Sequence, residues 1–161
     1  MKTLILGLGN PMLGDDGVGW RVAEVCATRL RGAAHVEVDC LATGGLSLME
    51  HMIGYDRAIL IDAITTGDQP DGAVYRFRME ELPNAYAGHT GSAHDTSLQT
   101  ALQLGDRMGA PLPASVMVVA IEAQRVYDFS ETLSPAIAAA VPRAVEMVMQ
   151  ILHEQDSLPA A

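Results

Sequence analysis

The strongest constraint on the fold is one glycine-rich stretch, Gly7-Leu8-Gly9-Asn10-Pro11-Met12-Leu13-Gly14-Asp15-Asp16-Gly17-Val18-Gly19. Before it, Thr3 to Leu8 is a short apolar run, the pattern of a strand buried on both faces. After it, Val18, Val22, Val25, Cys26 and Leu30 recur at helical spacing, with Arg21, Glu24, Arg29 and Arg31 largely elsewhere. Gly32 stands just past the expected helix end. A buried strand, a sharp turn and an amphipathic helix form the opening of a parallel α/β unit. The turn's glycines let the backbone bend tightly and come close to its neighbours. Two adjacent carboxylates, Asp15 and Asp16, fall where the helix begins.

The same alternation continues. Val36 to Cys40 makes a second strand, Thr43-Gly44-Gly45 a turn, and Leu46, Leu48, Met49 and Met52 a short helix. Ala58 to Ile61 is a third strand closing with Asp62, and Val74 to Arg78 alternates like an edge strand. Glu81 to Ala93 lacks periodicity and reads as a long surface loop. A helix with Leu98, Ala101, Leu102 and Leu104 follows, capped near Thr96, and Val116 to Ile121 is the last buried strand. A final helix spans about Ser134 to Gln155, with Ile137, Val141, Val145, Val148 and Leu152 as its stripe and Pro142 expected to kink it. The expected architecture is one domain over residues 1–161, a three-layer α/β/α sandwich. Its twisted, mostly parallel sheet has about five strands, with one edge strand free to run antiparallel.

In such folds ligands gather beyond the carboxyl ends of the strands. Asp16, Thr43-Gly44-Gly45 and Asp62 follow or end strands one, two and three, so all three fall on one rim. Each aspartate also has a plain structural reading, as a turn or helix-start acid. Among the histidines, His35 and His153 look solvated, whereas His89 and His94 flank or lie in the long loop. An Asp16, Asp62 and His94 set on one rim would offer oxygen and imidazole donors, a mixture suited to a divalent transition metal with open positions.

Other chemistries lack their residues. A third glycine of Gly-x-Gly-x-x-Gly would fall on Met12, and no Gly-Lys-Ser/Thr phosphate loop or Gly-x-Ser-x-Gly elbow occurs. Cys26 and Cys40 read as two reduced thiols on a helix and a strand. With 20 acidic against 10 basic residues, the formal charge of −10 repels nucleic acid and anionic membrane and favours cations or basic peptide segments. No apolar run is expected to approach a membrane span, and the N-terminus leads directly into a strand, so a cytoplasmic protein is expected.

The opening turn, Thr43-Gly44-Gly45, Ile61-Asp62-Ala63, Ser92-Ala93-His94 and Glu122 with Leu133-Ser134-Pro135 together resemble the [NiFe]-hydrogenase maturation proteases, in order and spacing over nearly the whole chain. The resemblance implies an endopeptidase that removes the C-terminal extension of a hydrogenase large-subunit precursor after nickel insertion. It implies metal-ligand and catalytic roles for Asp16, Asp62 and His94, with Asp16 standing where many relatives have Glu. It implies substrate recognition by Thr43, Gly44 and Gly45. The metal is nickel, supplied by the substrate, or another divalent transition metal held by the enzyme. Asp15 and His89 are the candidate general bases. After the last strand the family usually reads Gly-Ile-x-Pro, where this chain has Ala120-Ile121-Glu122-Ala123.

Two other readings share some residues. A nickel-dependent chaperone or checkpoint module would bind the loaded large subunit without cutting it. Peptidyl-tRNA hydrolases open with a similar Gly-Leu-Gly-Asn-Pro turn, but their Tyr and Thr-Arg-His-Asn stretch is absent and their tRNA needs a basic face. A monomer is expected.

Overall fold

The computed structural model describes residues 1–81, 97–124 and 128–156. Its sheet has the order β2-β1-β3-β5-β4, formed by β1 (Thr3–Leu8), β2 (Val36–Leu41), β3 (Arg57–Ile64), β4 (Val74–Arg78) and β5 (Ser115–Glu122). β2, β1, β3 and β5 are parallel, and β4 pairs antiparallel with β5 at one edge. This is the expected mostly parallel sheet with an antiparallel edge strand.

Side chains alternate across a strand, and the two faces bury separate cores. Ile5, Ile59, Ile61, Val119 and Ile121 face one layer, α1 (Val18–Arg29) and α4 (Pro135–Asp156). Leu4, Leu6, Leu60, Val118 and Ala120 face the other, α2 (Gly45–His51) and α3 (Leu98–Arg107). β1 is buried at all six positions, as its unbroken apolar run requires.

Several expectations shift. β3 does not close with Asp62 but continues to Ile64, because its ladder with β5 runs on through Asp62↔Ala120 to Ile64↔Glu122. Val25 flanks the core stripe of α1, which is carried by Val18, Gly19, Val22, Ala23 and Cys26. Leu46 is likewise exposed, while Leu48, Met49 and Met52 are buried. The cap of α3 is Ser97, whose hydroxyl accepts from the Thr100 N–H at 3.2 Å. Thr96 and most of the expected loop, residues 82–93, lie outside the described residues.

Pro142 stands inside a single continuous helix, α4. Contrary to expectation, Pro135–Glu154 is long and apolar enough by composition to cross a membrane, with a mean hydropathy of 1.3. Ile137, Ala144, Val145, Val148 and Ile151 are nevertheless fully buried beneath α1 and the sheet. This stripe packs into the core, with 39% of the apolar segment buried.

Candidate active site

The glycine-rich turn is shaped by close contacts. At Gly19, the first turn of α1 lies so near the sheet that a Cβ would come 2.3 Å from the Leu8 carbonyl oxygen and 2.4 Å from that of Ile61. Only a residue without a side chain lets α1 start against both β1 and β3. Gly9 has φ 117°, and a Cβ there would meet the Asp16 carbonyl oxygen at 1.9 Å. The chain thus folds back on itself between Leu8 and Val18, with Gly14–Gly17 forming one 3-10 turn. That turn packs against β3, the strand of Asp62.

The two adjacent acids of the turn have different tasks. Asp16 Oδ2 accepts the Asn10 N–H at 2.8 Å, which orients its carboxylate across the turn. Asp15 Oδ1 accepts the Ser134 N–H at 2.6 Å, at the entry to α4. Asp15 therefore ties the turn to the last helix, and this engagement speaks for structure rather than for proton transfer. The tie is reinforced by the Gly14 N–H, which donates to the Ser130 carbonyl at 2.6 Å, and by the Ser130 N–H, which donates to that of Met12 at 2.9 Å.

Asp62 is half-buried near the carboxyl end of β3. Thr43 is exposed, Gly44 half-buried and Gly45 buried, where β2 passes into α2. Asp16, Thr43-Gly44-Gly45 and Asp62 thus follow or occupy the carboxyl ends of β1, β2 and β3, on the same rim, as parallel pairing demands. His94, His89, Ser92 and Ala93 lie outside the described residues. Among the described residues no group of three His, Cys, Asp or Glu side chains gathers as a metal cluster. Asp16 and Asp62 are the two members of the expected set that can be placed.

One rim carboxylate had no assigned role in the sequence. Glu122, the last residue of β5, is 2% exposed. Its Oε1 accepts the N–H groups of Thr66 at 2.7 Å and Gly67 at 3.0 Å. Its Oε2 accepts the hydroxyls of Thr66 at 2.6 Å and Tyr75 at 3.0 Å. Burial pushes this carboxyl up, but the Thr66 hydroxyl, the Gly67 and Thr66 N–H groups and the Tyr75 hydroxyl outweigh it and hold the group below its ordinary value. No signal near Glu122 in the sequence announces this, because its donors lie 47 to 56 residues away.

At the next residue, Ala123, the N–H donates to the Ile64 carbonyl at 2.8 Å. This bond carries the β3–β5 ladder beyond Asp62, and a proline here, with no N–H to donate, could not make it.

The thiols are remote from such chemistry. Burial pushes Cys26 up to about 12, and burial with nearby Glu24 and Asp39 pushes Cys40 up to about 11. Both are held as neutral thiols, and neither suits a nucleophile.

Comparison with known proteins gives one answer. The family model described as "Hydrogenase maturation protease" matches residues 20–151, a span that contains Asp62 and begins just after the opening turn. "Hydrogenase expression/formation protein HoxM" of Azotobacter vinelandii is 29% identical over 160 residues, covering 99% of this chain and 76% of that one. "Hydrogenase 2 maturation protease" of Escherichia coli is 28% identical over 154 residues, covering 96% and 92%. Among solved structures, the [NiFe] hydrogenase maturation protease HybD from Thermococcus kodakarensis superposes with a TM-score of 0.68 at 27% identity, covering 94% and 99%.

Proposed function

The chain belongs to the hydrogenase maturation protease family, and from that membership we propose that it cleaves the C-terminal extension from a [NiFe]-hydrogenase large-subunit precursor after nickel insertion. The observation that carries the reading is the packing of the Asp16 turn directly against the strand of Asp62, on the rim where α/β folds bind ligands.

In this reading Asp16 and Asp62 supply carboxylate oxygens to a divalent ion, with His94 as the third donor. The donor chemistry fits: two half-buried carboxylates on adjoining elements, one already oriented by a backbone N–H. A nickel ion carried by the substrate, or a divalent transition metal held by the enzyme, would polarise the scissile carbonyl or lower the pKa of a bound water. The Asn10 N–H keeps Asp16 from rotating, and the Asp15–Ser134 bond keeps the turn from lifting off α4. Thr43, Gly44 and Gly45 flank the same rim and would border the substrate tail. The net charge of −10 favours approach of a cationic, metal-loaded partner. The unpaired thiols suit the reducing cytoplasm.

The test is to incubate the protein with nickel-loaded large-subunit precursor and weigh the products. The expected outcome is loss of a mass equal to the C-terminal tail. Stable binding with no mass loss would instead support a checkpoint module.

A further inference from the structure

Glu122 and Asp62 belong to the same face of the sheet. β3 and β5 are in register at Asp62↔Ala120 and Ile64↔Glu122, and the two-residue period of a strand puts residues 62, 64, 120 and 122 on one side. The two acids are thus two register positions apart on neighbouring strands. Asp62 is half-buried at the rim, while Glu122 is closed in.

Each oxygen of Glu122 has two donors, and every donor comes from another part of the chain. Thr66 and Gly67 belong to the turn that leaves β3, only four and five residues beyond Asp62. Tyr75 belongs to the edge strand β4. The backbone beside them is tied as well: the Thr65 hydroxyl donates to the Ala123 carbonyl at 2.6 Å, and the Ala123 N–H donates to that of Ile64 at 2.8 Å. The Glu122 N–H and carbonyl pair with Ala73 and Gly72 at 2.8 Å each. One carboxylate therefore gathers the exit of β3, the end of β5 and the start of β4.

We propose that Glu122 is a positioning residue for Asp62, fixing the carboxyl end of β3 through its hydrogen bonds and not through its charge. The bond pattern makes the distinction testable. Both donors on Oε1 are backbone N–H groups, which can only donate. Both donors on Oε2 are hydroxyls, which can rotate and accept instead. Glutamine fits that pattern, with its carbonyl oxygen on the two N–H groups and its amide on the two hydroxyls. It keeps the clamp and discards the charge. Alanine leaves two part-buried N–H groups without their acceptor.

This inference rests on the proposed function only for its activity measurement, so a second readout stands beside it. Glu122→Gln, Glu122→Ala and Thr66→Val are compared for precursor cleavage and for backbone amide exchange across residues 57–67. Glu122→Gln keeps kcat within about threefold, with an unchanged pH profile and wild-type exchange. Glu122→Ala lowers kcat by about 100-fold, the scale of a misplaced reacting group, with KM within about twofold and faster exchange confined to residues 57–67. Thr66→Val keeps the carboxylate and both backbone N–H bonds, and removes only the Thr66 hydroxyl, which donates to Glu122 and accepts the Asp68 N–H. It lowers kcat by about fivefold and loosens the same segment slightly. A Gln variant as defective as the Ala variant would overturn the proposal, as would wild-type exchange in both Ala and Val variants. If the wild-type protein leaves the precursor uncut, the functional reading falls while the exchange arm still decides whether the clamp exists.

Discussion

The arm that carries Asp16 is held by close packing, whereas the arm that carries Asp62 is held by hydrogen bonds gathered on a buried carboxylate from another strand. In the first, the backbone around Gly9 and Gly19 approaches its neighbours so closely that no side chain fits. In the second, donors from Thr66, Gly67 and Tyr75 converge on Glu122. The difference matters for how each arm fails. A steric arm fails when an atom is added, and a bonded arm fails when an acceptor is removed.

The largest effect should come from adding that atom. Gly19→Ala would place a methyl against the carbonyls of Leu8 and Ile61, forcing α1 off the sheet. We expect a loss of about 3 kcal/mol, at the upper end of overpacking costs, and loss of processing as the Asp16 turn moves. Chemical denaturation and a cleavage assay check both. If Gly19→Ala were as stable as wild type, the close-packed account of this arm would fail.

A smaller effect separates the two adjacent acids. Asp15→Ala removes the acceptor of the Ser134 N–H and should cost about 1 kcal/mol, as loss of a helix-entry acceptor does. Processing should survive at a temperature where the variant is folded. If Asp15→Ala were inactive though folded, Asp15 would belong to the chemistry.

The bonded arm predicts a pH dependence. The folded-state pKa of Glu122 is lowered, so the unfolded chain takes up the proton first. The stability it contributes is full above the ordinary glutamate value of about 4.3. It declines as pH falls through that value towards the lower folded one. The melting temperature of wild type should therefore fall relative to that of Glu122→Gln on acidification from about pH 6 to about pH 3, roughly the carboxylate titration range. A gap between the two that stayed constant would mean that the carboxylate is not specially held. The smallest effect concerns the thiols. Cys26, fully buried with its pKa pushed to about 12, should resist thiol reagents at neutral pH in the folded protein.

The same contrast explains what the sequence could reveal. The Asp16 arm is local: an apolar run, a cluster of glycines and a helical period lie within one short stretch, so its strand, turn and helix were all legible. The shared rim followed from parallel strand order alone. The Asp62 arm is non-local. Nothing in Ala58 to Ile61 says that the strand continues to Ile64, because that depends on β5 pairing as far as Glu122. The role of Glu122 depends in turn on donors from two other segments. Val25 and Leu46 fit helical stripes on paper, yet the sheet covers a narrower arc of each helix and leaves them exposed. The bounds of α4 were legible, but its apolarity was underestimated for a related reason: alanines and scattered valines raise its average without forming an unbroken run.

The central claim is that Asp16 and Asp62, on adjoining elements of one rim, carry the cleavage. The direct measurement is intact-mass analysis of nickel-loaded precursor after incubation with wild type, Asp16→Asn and Asp62→Asn. Each variant is first checked for wild-type circular dichroism and melting behaviour. The account predicts release of the C-terminal tail by wild type and uncut precursor with both variants. Normal release by either folded variant would contradict it.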